Sequence, residues 1–267
     1  MDLKFSNKKR KTNLLIMGFI FFITFFNLNL NIVNSTSTPS DTPFNLGISY
    51  FGEGKYDEAI IEFEKSIELD DSHTESYYYL GQCYLQKGVI EYNNKHIFKA
   101  YSLYRKAYEI SEEVINRYEK MIIENPDDLN IYLKLGYIYE TRSMVPFINE
   151  YDQAIDYYQK ALDLNTDSVS PRNIGMQIYI NTRIGSLYFQ KKNYSDVIKY
   201  LEQAEKLSSQ NVNVEIYYYL GLSYVKIGEI EKAREFLFRV IELAPQSEFA
   251  QEAEKELKKI DKKQLSD

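Results

Sequence analysis

The sequence predicts an all-α fold: an α-solenoid of helix-turn-helix repeats with a C-terminal capping helix. Three observations carry this. The pentapeptide YYYLG stands at residues 77–81 and again at 217–221, each copy followed three positions later by a Tyr. Around the copies Tyr77, Leu80, Gly81 and Tyr84, like Tyr217, Leu220, Gly221 and Tyr224, fall at i, i+3, i+4 and i+7, one side of a 3.6-residue helix. Punctuation then marks off helices: Gly54 and Gly228 can turn left-handed without a Cβ clash, and Pro126 and Pro245 stop what precedes them. The 267 residues could form one or two ordinary domains, but recurrence in matching registers favours repeats.

The most regular unit begins at Val214 and ends at Pro245. It has Leu-Gly-x-x-Tyr at Leu220 to Tyr224, a small residue nine positions after that Tyr (Ala233), an apolar one four later (Leu237) and a closing Pro. This arrangement resembles the tetratricopeptide repeat (TPR), whose period is about 34 residues. The resemblance implies a right-handed solenoid. A single unit cannot cover both faces of its helix pair, so neighbouring units must do so.

Residues 1–35 are expected to stand apart from the repeats. Lys4, Lys8, Lys9, Arg10 and Lys11 precede the uncharged run LLIMGFIFFITFF at residues 14–26, the basic and apolar regions of an export signal. As a helix this run spans about 20 Å, short of a hydrocarbon core of about 30 Å. Extending it to Val33 would bury Asn27, Asn29 and Asn31. Two readings stay open: a signal peptide cleaved after Ser35, with Val33 and Ser35 at its small positions, or an uncleaved N-terminal membrane anchor. Either leaves the repeats outside the cytoplasm, periplasmic or otherwise extracytoplasmic in a bacterium. Residues 36–43 read as a polar linker.

The solenoid is expected over 44–261. Its first repeat, about 40–73, places Leu46, Gly47 and Tyr50 on the first helix, Gly54 at the turn, and Ala59, Phe63 and Ser66 on the second. In the second, about 74–128, regular spacing breaks after Gly88. Ala100, Tyr104 and Ala107 give one register, and Val114, Tyr118 and Met121 give the same register fourteen residues later. Fourteen residues is about four turns, so both sets fit one face of a single long helix over about 95–124, roughly 45 Å long. An extra degenerate repeat turning near Ser111 is the alternative.

The third repeat, about 129–168, has Tyr132, Leu135, Gly136 and Tyr139, an insertion around 144–150 that contains Pro146, then Ala154, Tyr158 and Ala161. A looser segment, 166–175, contains Pro171. It leads to the fourth repeat, 178–211, with Asn181, Ile184, Gly185, Tyr188, Val197, Leu201 and Ala204, and the fifth occupies 214–247. Phe249, Ala253, Leu257 and Ile260 share one side of a capping helix at 247–261, and 262–267 form a tail. Gly47, Gly81, Gly136, Gly185 and Gly221, with Ala59, Ala100, Ala154 and Ala233, are the small positions at which helices should approach most closely.

Composition excludes several functions. The net charge is −7 despite the basic start, so the body is acidic and without a basic stripe, and no nucleic acid is expected to bind. Cys83 is the only cysteine, which rules out an internal disulfide framework and a Cys-based zinc site. His73 belongs to no His-Glu-x-x-His motif, and His96 has no acidic orienter at helical spacing before it. Phosphate-cradling Gly-rich loops and nucleophile elbows do not occur. No catalytic residue, metal or cofactor is expected, and the protein reads as non-enzymatic.

Function is expected on a surface. The family resemblance implies that first helices line the concave side of the solenoid. Carried over position by position, the partner-binding groove consists of Tyr78, Tyr79 and Gln82, then Leu133, Lys134 and Tyr137, then Tyr179, Thr182 and Arg183, then Tyr218, Tyr219 and Leu222. This surface is rich in Tyr and poor in charge, which suits capture of a protein partner's peptide or helix. Family members that clamp a C-terminal carboxylate use Lys and Asn where this chain has Tyr78 and Gln82, or Leu133 and Tyr137, so that ligand is not expected. The expectation is a protein-binding scaffold of the cell envelope, touching membrane only through its N-terminal segment. Two alternatives stay open: a homo-oligomeric structural element joined through the long second-repeat helix, and an adaptor subunit of an envelope enzyme or assembly complex.

Overall fold

The computed structural model describes residues 38–264 except 144, 146–147, 166–169 and 209–212. The expected leader at 1–35, Pro146 of the insertion and the end of the tail lie outside the described residues. Those residues form eleven α-helices and no strand: α1 (Asp41–Gly52), α2 (Tyr56–Leu69), α3 (Thr74–Asn93), α4 (Ile97–Glu124), α5 (Leu129–Arg142), α6 (Tyr151–Leu164), α7 (Pro171–Gln190), α8 (Tyr194–Leu207), α9 (Val214–Ile227), α10 (Ile230–Leu243) and α11 (Glu248–Gln264). The fold is an all-α solenoid of helix pairs, α1–α2, α3–α4, α5–α6, α7–α8 and α9–α10, with α11 packed on α10. Two compact units divide the chain, one carrying α1–α4 and the other α5–α11. No helix among the described residues is long and apolar enough to cross a membrane.

Four of the five pairs turn in the same way. After the first helix the chain passes through one left-handed residue, Gly54 (φ 74°), Lys95 (φ 66°), Lys192 (φ 60°) or Gly228 (φ 88°). The next backbone N–H then reaches back to satisfy a carbonyl of the last turn: Lys55 to Tyr50 at 2.9 Å, His96 to Glu91 at 2.9 Å, Asn193 to Tyr188 at 3.0 Å and Glu229 to Tyr224 at 3.0 Å. The third pair uses its insertion instead. There Ser143 Oγ accepts the Glu150 N–H at 2.8 Å, and Arg142 pairs with Glu150 at 2.7 Å, bracketing the loop.

Within a pair, close approach depends on glycine. A Cβ built on Gly47 would lie 2.7 Å from the Phe63 ring, on Gly136 2.8 Å from Tyr158, on Gly185 2.5 Å from Leu201 and on Gly221 2.8 Å from Leu237. The alanines Ala59, Ala100, Ala154 and Ala233 are wholly buried beside them. Gly81 departs from this set, since its Cβ would approach nothing nearer than Ile110, at an ordinary 3.4 Å. The close place in the second pair belongs to Gly88, 2.6 Å from the Tyr104 ring. Gly88 is therefore buried inside α3 and does not mark its end. Seven residues separate Gly81 from Gly88, two helical turns, so the same face is presented again farther along the hairpin.

The long second-repeat helix is confirmed as α4, continuous over Ile97–Glu124. Ser111, where the alternative placed a turn, lies inside it and donates its Oγ–H to Tyr108 O at 2.6 Å. Ala100, Ala107, Val114 and Tyr118 are buried as expected, whereas Met121 is exposed. Two boundaries differ from the sequence reading. Helix α1 starts at Asp41, inside the expected linker, because Pro43 is tolerated in a first turn where no intrahelical donor is needed. Helix α7 starts at Pro171, two turns before the expected repeat. Pro is the preferred first helical residue, and Ser170 caps the end by accepting the Asn173 N–H at 3.2 Å.

Candidate partner-binding face

Most residues expected to stand open in a groove are buried: Tyr78, Tyr79, Gln82, Leu133, Lys134, Tyr137, Tyr179, Arg183, Tyr218, Tyr219 and Leu222. Thr182 alone keeps a partly exposed side chain. Contacts explain four of the rings. Tyr79 packs on Phe44, Phe51 and Phe63 of the first repeat with centroids 5.9, 5.5 and 5.7 Å away. Tyr78 meets Tyr79 edge-on at 5.2 Å and Tyr118 at 6.4 Å. Tyr219 lies 4.8 Å from Phe189 of the preceding pair, and Tyr218 lies 5.1 Å from Phe249 of the capping helix. Tyr79 and Tyr219 thus join successive helix pairs, Tyr78 packs within its own pair and Tyr218 holds the capping helix, amphipathic uses of Tyr that need no partner.

The face is also less poor in charge than the sequence suggested. Glu140 on α5 is only 2% exposed and accepts from Arg183 Nε on α7 at 3.1 Å, from Arg183 Nη2, and from the Tyr158 hydroxyl at 2.8 Å. A buried guanidinium is tolerable only with such a partner. Glu215 on α9 faces the same Arg183. Although its side chain keeps a solvent-facing edge, the protein mass around it raises its pKa above the ordinary carboxylate value, Arg183 opposing that rise. Burial also raises the Tyr179 phenol well above its usual range.

Three first helices thus contribute one strip in the second unit: Tyr137 and Glu140, then Tyr179, Thr182 and Arg183, then Glu215, Tyr218, Tyr219 and Leu222. Glu140 and Glu215 were not among the sequence-derived site residues. Helical spacing could have found them, since Glu140 follows Tyr137 by three, and Glu215 precedes Tyr218, Tyr219 and Leu222 by three, four and seven.

Neither histidine joins this strip. His73 Nδ1 lies 2.8 Å from Ser76 Oγ with its ring on Phe44. His96 has an acidic neighbour that helical spacing does not supply: the turn at Lys95 folds Glu91, five residues earlier, back to 2.7 Å from His96 Nδ1. Cys83 is buried, and desolvation pushes its thiol far above its usual range, away from nucleophilic chemistry. Among the described residues no group of His, Cys, Asp and Glu could hold a metal ion.

Comparison with known proteins decides the family. A family model described as TPR repeat matches residues 47–88, and two described as tetratricopeptide repeat match 131–168 and, in two copies, 178–211 and 214–247, together more than half of the chain. The chain belongs to the tetratricopeptide repeat family. This TPR protein is 24% identical over 231 residues to TPR repeat-containing protein MJ1428 of Methanocaldococcus jannaschii, covering 80% of this chain and 38% of that one. It is 24% identical over 217 residues to the peroxisomal targeting signal receptor of Candida albicans, covering 76% and 35%. The chain thus spans less than two fifths of either relative.

Among solved structures it is similar to MamA 41-end from Desulfovibrio magneticus RS-1, with 13% identity, a TM-score of 0.54, and 80% and 99% of the two chains covered. It is also similar to YrrB, described as a TPR protein with an unusual peptide-binding site, with 16% identity, a TM-score of 0.51, and 80% and 90% covered. At such identities the likeness is one of fold.

Proposed function

We propose that this TPR protein is a non-enzymatic protein-binding scaffold of the cell envelope, holding a partner's peptide or helix along the first-helix strip of its second unit. The fold supports the general part, because stacked helix pairs of this family serve as binding surfaces, and two of the similar proteins are named for a peptide-binding site and a targeting-signal receptor. The observation that carries the location is the row Glu140, Arg183, Glu215, in which the first two are buried and Glu215 keeps a solvent-facing edge. Three first helices converge charge and phenol groups that a self-contained apolar interface would not need.

Thr182 and Glu215 keep solvent-facing edges, so a ligand engages there first. The covered Tyr and Leu residues join only as the strip opens, which lowers apparent affinity by the fraction of open chain. The envelope setting rests on the basic and apolar N-terminal sequence alone.

A photo-crosslinking amino acid placed at Thr182 tests the reading in native envelope. It should capture a discrete partner that the same group at exposed Glu242, on α10, does not. Equal capture at both sites, or capture at neither, overturns the assignment, and recovery of the crosslinked product in the cytoplasmic fraction overturns the setting.

A further inference from the structure

The α3–α4 hairpin ends in a surface that neither packing nor the proposed strip uses. Ile90 near the end of α3, and Ile97, Phe98 and Tyr101 at the start of α4, are all exposed, Phe98 to 94%. A lone exposed apolar residue needs no explanation, but four at one hairpin tip form a patch. The charge around them reverses that of the chain. Between Lys87 and Lys106 stand Lys87, Lys95, Lys99, Arg105 and Lys106 against a single acid, Glu91, in a protein of net charge −7. Lys87 is held by Asp57, Glu91 takes both Lys99 and His96, and Arg105 lies 3.6 Å from Glu109. Lys106 rests over the Tyr84 ring. Lys95, at the left-handed turn itself, makes no ion pair among the described residues.

We infer that this tip is a membrane-contact element that inserts Phe98 into an anionic lipid surface. The chemistry favours lipid over a protein partner for two reasons. An aromatic ring exposed on all sides, flanked by Tyr and by Lys stems that can reach back to phosphate level, has the composition of the bilayer interface and needs no shaped pocket. The local excess of positive charge matches anionic headgroups, while the acidic remainder of the chain is repelled, so the tip is the part that approaches. Helix α4, at 28 residues, is the longest described, α3 has 20, and the patch sits at the turn end of the hairpin they form. Membrane contact is then made by the repeats themselves, in addition to any made by the N-terminal segment. The inference does not depend on the proposed strip.

The chain contains no Trp, so a Phe98→Trp substitution in the full-length protein gives a local reporter, and its exposure means folding is not at stake. With vesicles of phosphatidylcholine and phosphatidylglycerol, its emission should shift to the blue and be quenched by bromine on the acyl chains. High salt should reverse the shift, and adding Lys95→Glu and Lys99→Glu should abolish it. A reporter at the other end of the same helix, Ile123→Trp, is also exposed and should stay unchanged, which separates tip insertion from membrane capture by the N-terminal segment. Four outcomes overturn the inference: no shift at Phe98→Trp while the protein co-sediments with vesicles, equal shifts at both reporters, an equal shift on pure phosphatidylcholine, or a shift that follows protein concentration without vesicles, which would mark contact with a second copy.

Discussion

At Gly136 an added methyl group would stand 2.8 Å from the ring of Tyr158, whose hydroxyl is tied to Glu140 and which cannot swing away. At Gly81 the same methyl group finds only ordinary contact. Both positions read Leu-Gly-x-x-Tyr in the sequence, yet Gly136→Ala should cost about 1–3 kcal/mol through overpacking. Gly81→Ala should be neutral or stabilise by up to about 1 kcal/mol, because a mid-helix glycine is removed without a clash. Chemical denaturation of the two variants checks this, and the reverse order would refute the packing described.

Glu215 gives a second residue-scale expectation. Its folded pKa is raised, so the folded state holds the proton more tightly than the unfolded state. Stability contributed by this group is therefore present below the ordinary carboxylate value and is lost as pH rises through the raised one. Glu215→Gln should raise the melting temperature at neutral pH and lose that advantage in acid. A variant that melts lower than the parent at neutral pH would mean that attraction to Arg183 outweighs desolvation.

At the scale of the element, the four shared turns differ in one respect. Gly54 and Gly228 enter the left-handed region without penalty, while Lys95 and Lys192 do so with a side chain. The left-handed conformation costs a non-glycine residue roughly 1–2 kcal/mol, and glycine brings back part of that in unfolded-chain entropy. Lys192→Gly should therefore stabilise by about 0.5–1 kcal/mol, measured as a shift in denaturation midpoint at unchanged slope.

These turns also show what could be read in advance. Glycine announced its turns, and the fourteen-residue recurrence from Ala100 to Val114 announced α4. The lysine turns carried no signal, since nothing distinguishes a left-handed Lys from a helical one before the backbone is known. Gly88 gave no sign of its role, because the spacing breaks after it and its partner, Tyr104, lies across the turn. For the candidate face, spacing told which residues share a side, but whether Tyr79 faces water or Phe63 depends on how the preceding pair packs against it. That is a tertiary fact absent from local pattern.

For the whole molecule, a stack of pairs must end somewhere. Helix α11 closes it with Ala250, Ala253, Leu257 and Ile260 buried and Phe249 against Tyr218. Ending the chain after Pro245 should cost on the order of 3–6 kcal/mol, counting Leu257 and Ile260 as fully buried side chains, an upper figure since unfolded chains already bury some surface. It should also promote association through the uncovered face of α10, visible by light scattering. A truncated chain that stays monomeric with unchanged melting would show that α11 caps nothing.

The spacing of Gly81 and Gly88 bears on how such a chain can change over generations. Two turns bring a helix almost back to its original bearing, so seven residues can be gained or lost on each arm of the α3–α4 hairpin while every side chain below keeps its neighbours. Reach is thereby adjustable in fixed increments, and insertions of other sizes would swing the tip around its axis and point Phe98 elsewhere.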